Sequence, residues 1–319
     1  MPLRQPATFD EFMRLQHVGA VNVSGADHSS WNGTWEVQPY KLTDDGLQVL
    51  GSAGWDHVIR YDEERVLRPL RQMFLHAGQL QDDATLLRYR EALAVVYHEN
   101  LHLLAGRGTE HADAEQDFRI AAVRALEEGV TESYGHETLD DYVDEFQLDL
   151  VAPGIKNVVG FPAYERFTPA AETLAYELGG LDNADRLEML RRMAIVNATG
   201  KWSVATGVIA DRYGLGDPRF AQERGIAERR ITNAMWQHFG KLPDLSGLGS
   251  HLVFSRSCAI GRKAFEEGRA VAGQYFARSV SFGGVASPGR ATSGWGSYSA
   301  RGGPPYSGTR RAGGPERRP

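Results

Sequence analysis

From about residue 63 onward, apolar positions recur mainly three and four residues apart, the spacing of helices with one buried face. The first sixty or so residues are patterned differently. Trp35-Glu36-Val37-Gln38-Pro39-Tyr40-Lys41-Leu42 and Leu47-Gln48-Val49-Leu50 show short apolar alternation. Thr43-Asp44-Asp45-Gly46 between them has turn chemistry, so the pair predicts a hairpin, with a third strand expected within residues 56–61. Residues 63–77 follow as a helix that Pro69 is placed to end or kink. A longer helix is expected over 83–104, burying Leu86, Leu93, Val96 and Leu104, with Gly106 placed to stop it. A second fits 113–134, with Phe118, Ala121, Ala122, Ala125 and Leu126 on its apolar side. Further helices fit 138–150, 169–178, 183–212, 217–239 and 255–279, and no internal repeat is visible. The expected fold is mainly helical α+β: one domain over 1–283, β-rich over about 1–62 and helical over about 63–283.

The C-terminal end breaks this pattern. From Gly283 onward the chain holds six arginines, no lysine and one acid, Glu316, so five of its charges are uncompensated positive ones and the remainder of the chain carries eleven negative ones, within a formal net charge of -6. Residues 284–319, rich in Gly, Ser, Pro and Arg, have too little apolar surface to offset the entropy of ordering and read as a disordered tail. Arginines beside glycines, interleaved with Trp295, Tyr298 and Tyr306, offer contact to nucleic acid or to an acidic protein surface.

Composition adds limits. The chain has 319 residues, 42% of them hydrophobic, enough to bury a core without staples. The single cysteine, Cys258, has no internal disulfide partner and reads as a small buried apolar residue. The N-terminus lacks the uninterrupted apolar stretch of a signal peptide, and no segment approaches the ~18 apolar residues of a membrane span. The expectation is a cytoplasmic protein without membrane attachment, with signal-less export as the alternative.

Specific chemistry enters at His98-Glu99-Asn100-Leu101-His102, inside the helix expected over 83–104 and directly after the apolar run Ala92 to Val96. Residues four apart on an α-helix lie on one face a turn apart, so His98 and His102 can offer two imidazole nitrogens to one metal ion. Glu99 sits beside them, placed to reach a water on the metal as a general base must. The alternative is a pair of hydrogen-bonded core histidines with Glu99 in solvent. Desolvating two histidines and an acid on one buried turn, without a metal or full partners, argues against it.

Hydrolytic zinc sites usually draw three ligands from the protein. Glu127, Glu128 and Glu132 lie in the following helix, with Glu128 26 residues after His102, and an antiparallel return would bring the two faces together. Ala121 and Ala125, one or two turns earlier on the apolar side, favour Glu128 over Glu127. Glu132 shares the Glu128 face, where a carboxylate can fix the tautomer of an imidazole ligand. Glu127, His111 and Asp113 stay open as alternative ligands, and a solvated acidic face as the alternative role for the three glutamates.

HENLH followed by EEGVTE resembles the gluzincin metallopeptidases, the thermolysin-like and aminopeptidase-like clan, over about 40 residues. In that clan a glutamate on a following helix, next to a small residue, is the third zinc ligand, which implies Glu128 here. An acid four residues later often hydrogen-bonds a ligand histidine, which implies Glu132. The metzincin pattern is not met, since Ala105 and Gly108 stand where its glycine and last histidine belong. The Gly-Thr-x-Asp element of the aspzincins is also imperfect, with His111 in place of the aspartate. The resemblance further implies a downstream His or Tyr that stabilises the oxyanion. No histidine occurs between His136 and His238, so Tyr134, Tyr164 and Tyr176 are the candidates, and the role is unassigned.

The expected activity is a zinc-dependent peptidase acting on protein or peptide substrates, with Zn2+ as cofactor and Glu99 as general base. An edge strand of the N-terminal hairpin would align extended substrate. Two rivals are a non-catalytic binding protein whose Arg/Gly-rich tail is the working part, and a peptidase effector or toxin that leaves the cell.

Overall fold

The region expected to be β-rich opens with a helix, α1 (Phe9–Ser24). Thr8 Oγ1 accepts the Glu11 N–H at 3.2 Å and the Glu11 carboxylate accepts the Ala7 N–H at 2.7 Å, which satisfies donors that the first turn would otherwise leave unpaired. Phe9, Phe12, Met13, Gln16 and Ala20 form its buried face, and Gly25, at φ 67°, closes it in the left-handed region. The computed structural model describes residues 3–42, 48–160, 164–180, 182–217 and 221–282. The tail expected over 284–319 lies outside them.

The strands are few and short. β1 (His28–Ser29) is followed by β2 (Trp35–Val37), β3 (Gly51–Ala53) and β4 (Ile59–Tyr61), and the last three form a sheet in the order β2-β4-β3, with β4 parallel to β2 and antiparallel to β3. The hairpin expected between 35–42 and 47–50 is therefore reduced to its end. Leu42 bridges Gln48, and the Val49 N–H donates to Lys41 O at 2.9 Å, while the turn at 43–46 lies outside the described residues. Pro39, with no N–H to give, cannot extend the β2 ladder, and Trp35–Val37 pairs instead with the third strand.

Among the described residues β3 has a strand partner on one side only. The Leu50 carbonyl and Gly54 amide bond toward β4, at 2.8 and 2.9 Å. Strand alternation then turns the main-chain groups of Gly51 and Ala53 to the open side.

A π-helical turn at Glu63–Leu67, capped by Asp62, leads directly into α2 (Arg68–Leu75); Pro69, with no N–H to continue the series in which Arg68 donates to Glu63 O, stands where the π turn gives way to α-helix. Next comes α3 (Asp83–His102), started by Asp82, whose carboxylate accepts the Thr85 N–H at 2.7 Å. It ends into β5 (Leu104–Ala105), which pairs antiparallel with β1. Leu86, Leu93, Val96 and Leu104 are buried as expected.

α4 (Ala121–Glu145) starts later than expected because 111–114 and 117–119 are 3-10 turns, whose three-residue spacing imitates a helical pattern. It then runs unbroken for 25 residues, absorbing most of the separate helix expected over 138–150. As α3 advances its partners on α4 step back, Tyr97 to Thr138, His98 to Glu132 and His102 to Glu127, so the two helices are antiparallel.

The rest is helical: α5 (Leu148–Val151), α6 (Thr168–Gly179), α7 (Asn183–Ala194), α8 (Ala198–Arg212), α9 (Ala221–Phe239) and α10 (Ser250–Phe282). The single helix expected over 183–212 is two, divided where the Asn197 side chain caps α8 by accepting the Gly200 N–H at 3.0 Å. α4 lies at the centre, with α1 and α3 against it from one region of the chain and α6 to α9 from the other. At Gly129 it meets the turn into α6 so closely that a Cβ would stand 2.7 Å from Phe167 O. The architecture is a mainly helical α+β fold, and no described helix is long and apolar enough to cross a membrane. Cys258 is free and partly buried.

Candidate metal centre

α3 presents His98 and His102 on the face toward α4, both nearly buried. The helix is fixed there from its middle: Asn100 Nδ2 donates to Gln16 Oε1 of α1 at 3.0 Å and to Val96 O at 2.7 Å. His98 Nε2 and His102 Nε2 are 3.0 Å apart, and Glu128 Oε2 lies 3.6 and 3.5 Å from them. A cation bonded at 2.0–2.1 Å in tetrahedral geometry places its ligand atoms about 3.3 Å apart, so this triangle has the right size for one ion. Among the described residues these three form the group able to hold a metal.

The hydrogen positions sharpen the point. His102 Nδ1 lies 2.8 Å from Glu127 Oε1, and His98 Nδ1 lies 3.0 Å from Glu132 Oε2. His102 Nδ1 is hydrogen-bonded to Glu127, and the Glu132 carboxylate beside His98 Nδ1 favours the proton there too; both Nε2 atoms of the neutral rings then turn lone pairs toward each other and toward Glu128 Oε2, itself buried without a hydrogen-bond partner. Three converging electron pairs in a nearly dry site repel unless a cation or a proton lies among them. The donor set fits a divalent metal.

Glu99 is buried beside this group, and burial raises its carboxyl above the usual range against the opposing pull of His98 and His102. The Ala53 amide of β3 is close enough to favour the charged carboxylate slightly, against the effect of burial. Gly51 lets the strand approach, since a Cβ there would stand 2.7 Å from Glu99 Cγ. Tyr164 stacks on the His98 ring, centroids 5.3 Å apart, which sets its hydroxyl within the influence of the Glu128 carboxylate. The Glu128 charge and then burial keep that hydroxyl protonated well above its ordinary range.

Glu127 is 2% exposed and is not one of the three converging groups. Its Oε1 accepts from His102 and, at 3.3 Å, from Thr131 Oγ1, while Oε2 lies 3.2 Å from Lys201 Nζ. Burial raises its carboxyl, but Lys201 and His102 outweigh that and hold it below the usual range. His111 stands off the triangle, stacked on Trp55 with centroids 4.3 Å apart, its main-chain N–H donating to Ser30 Oγ at 2.9 Å. Asp113 accepts the Glu110 N–H at 2.7 Å in a capping interaction. Of the three tyrosines, Tyr164 alone is at the site: Tyr134 faces Val23 O and Tyr176 is partly exposed.

Lys201 had no place in the sequence expectations. Its signal was present, because Ala198, Ala205 and Ile209 share its helix face and are buried, which makes a lysine among them anomalous.

Without a metal the site carries a pH signature. Burial opposes the charged imidazoles, yet the carboxylates outweigh it, raising His98 well above 6.5 and His102 from 6.5 to about 9. Their stabilisation is full below pH 6.5 and is lost as pH rises, through about 9 for His102. Burial lowers His111 from 6.5 to about 4, so its stabilisation is present above 6.5 and lost as pH falls toward 4. Chelator-treated protein should show a Tm maximum near pH 6.5 and lower values on both sides. Zinc should abolish the alkaline decline by replacing the protons. A Tm series between pH 4 and 9, with chelator and with zinc, checks this.

Comparison with protein-family models, curated proteins and solved structures finds no match to this chain.

Proposed function

We propose that the protein is a zinc-dependent peptidase of the gluzincin type, with His98, His102 and Glu128 as metal ligands and Glu99 as general base. The observation that carries this reading is the convergence of two imidazole lone pairs and an unpartnered carboxylate oxygen at single-ion spacing, next to a second buried carboxylate. Two nitrogens and one carboxylate oxygen suit zinc, which accepts that set in tetrahedral geometry and keeps a position open for water. Bound there, the ion would acidify that water and polarise a substrate carbonyl.

The chain's own groups do the rest. Glu99, raised by burial, takes the proton of the water and returns it to the departing amine nitrogen. Tyr164 keeps its proton and offers the hydroxyl to negative charge developing on the carbonyl oxygen. β3, whose Gly51 packs directly against Glu99 and whose second edge has no strand partner among the described residues, provides a register for an extended peptide beside the site. Glu127 and Glu132 orient the two imidazoles from behind.

The test is metal analysis beside a peptide-cleavage assay. Purified protein should carry about one zinc per chain, and cleavage should vanish with a chelator and return with added zinc. Cleavage that persists in metal-free protein would sink the reading.

A further inference from the structure

The hydrolytic scheme leaves one fully buried charge unused. Lys201 of α8 donates through Nζ to Met193 O and Val196 O, each at 3.0 Å, and lies 3.2 Å from Glu127 Oε2. Met193 O is in the last turn of α7 and Val196 O in the short turn between α7 and α8, a helix end whose carbonyls carry partial negative charge and already favour an ammonium. A lysine needed only to close α7 has no use for a buried carboxylate as well. Nor does orienting an imidazole require a charged acceptor, since a neutral amide oxygen can accept the same bond. The pair has a different logic. Glu99, Glu127, Glu128 and Glu132 are four acids around two imidazoles, and Lys201 is the cation set against Glu127. From α7 to the metal position the contacts form one chain: two carbonyls, Lys201, Glu127, His102 Nδ1 and, across the ring, His102 Nε2.

We infer that Lys201 is a positioning residue of the metal centre: its ammonium pins the Glu127 carboxylate against His102 Nδ1–H, keeps Nε2 as the unprotonated nitrogen, and thereby sets how tightly the cation is held. This rests on the reading that His98, His102 and Glu128 hold a divalent cation. An unopposed carboxylate among three others would leave its place at His102, and the imidazole would lose both its orientation and the added basicity that an anionic partner confers.

The experiment measures zinc affinity of the full chain by competition with a chromophoric chelator, together with the visible spectrum of the cobalt(II)-loaded protein. Lys201→Met is expected to weaken zinc binding about 10- to 100-fold and to alter the cobalt bands. Lys201→Gln, neutral yet able to donate to the Met193 and Val196 carbonyls, should do the same, and it serves if the methionine variant fails to fold. Lys201→Arg should recover most of the affinity. In a Glu127→Gln background, adding Lys201→Gln should cost no further affinity, because the route runs through the Glu127 carboxylate. Wild-type affinity and an unchanged cobalt spectrum in Lys201→Gln, with only Tm lowered, would reduce Lys201 to a cap of α7 and overturn the inference. A wild-type protein that takes up neither zinc nor cobalt would instead overturn the reading of the metal centre itself.

Discussion

Exchanging Glu99 for glutamine is expected to lower kcat for peptide cleavage by about 10²- to 10⁴-fold, the range a positioned general base supplies. Metal content should stay at the wild-type level, because Glu99 is not in the converging triangle. The amide has nearly the same shape and can still meet β3, so the Gly51 contact and the fold should survive. What it lacks is the lone pair that takes a proton. The site depends on that loss being uncompensated: Glu127 and Glu132 are both directed at histidine Nδ1 atoms, away from the open position. The variant is to be assayed by single-turnover cleavage and metal analysis in parallel. Retention of near-wild-type cleavage with zinc bound would remove Glu99 from the reaction.

Truncating Glu128 to alanine should affect binding more than chemistry. Zinc affinity is expected to fall by well over about 100-fold, the upper end of what losing a mere supporting carboxylate costs. Two imidazoles remain, too few for a hydrolytic zinc site and 3.0 Å apart with no anion between them. Glu127 cannot replace the lost ligand, since its oxygens are committed to His102, Thr131 and Lys201 and it is 2% exposed. The variant should nevertheless fold, because the deletion also removes a buried charge. Chelator competition and a melting curve with and without zinc check both halves. Zinc-induced stabilisation as large as in the wild type would place the third ligand elsewhere.

The histidines and Glu128 were legible in the sequence because helix periodicity is a local rule. Four residues return to the same face, and the alanines before Glu128 fix the phase of its helix. Glu127 was legible only as a rival ligand. Its real setting depends on Lys201, which arrives on α8 more than seventy residues later through packing that no nearby pattern encodes. The strand partners were hidden for the same reason, since β4 inserts between β2 and β3 and separates the two sequence neighbours. α1 was different. The Thr8–Glu11 capping pair and the spacing of Phe9, Phe12, Met13, Gln16 and Ala20 announce it, and it was obscured by Gly19 and the valines of its second half, residues of low helix propensity, and by the strand-like runs that follow.

Gly129 gives the site a mechanical datum. One residue of helix is 1.5 Å of travel, about three quarters of a zinc–nitrogen bond, so a ligand carried on α4 tolerates very little axial slip. Side chains that repack would be a soft stop. At Gly129 the helix rests with almost no padding on the Phe167 carbonyl, three residues beyond the tyrosine that stacks on His98. That close seat helps set the depth to which Tyr164 and Glu128 enter the centre.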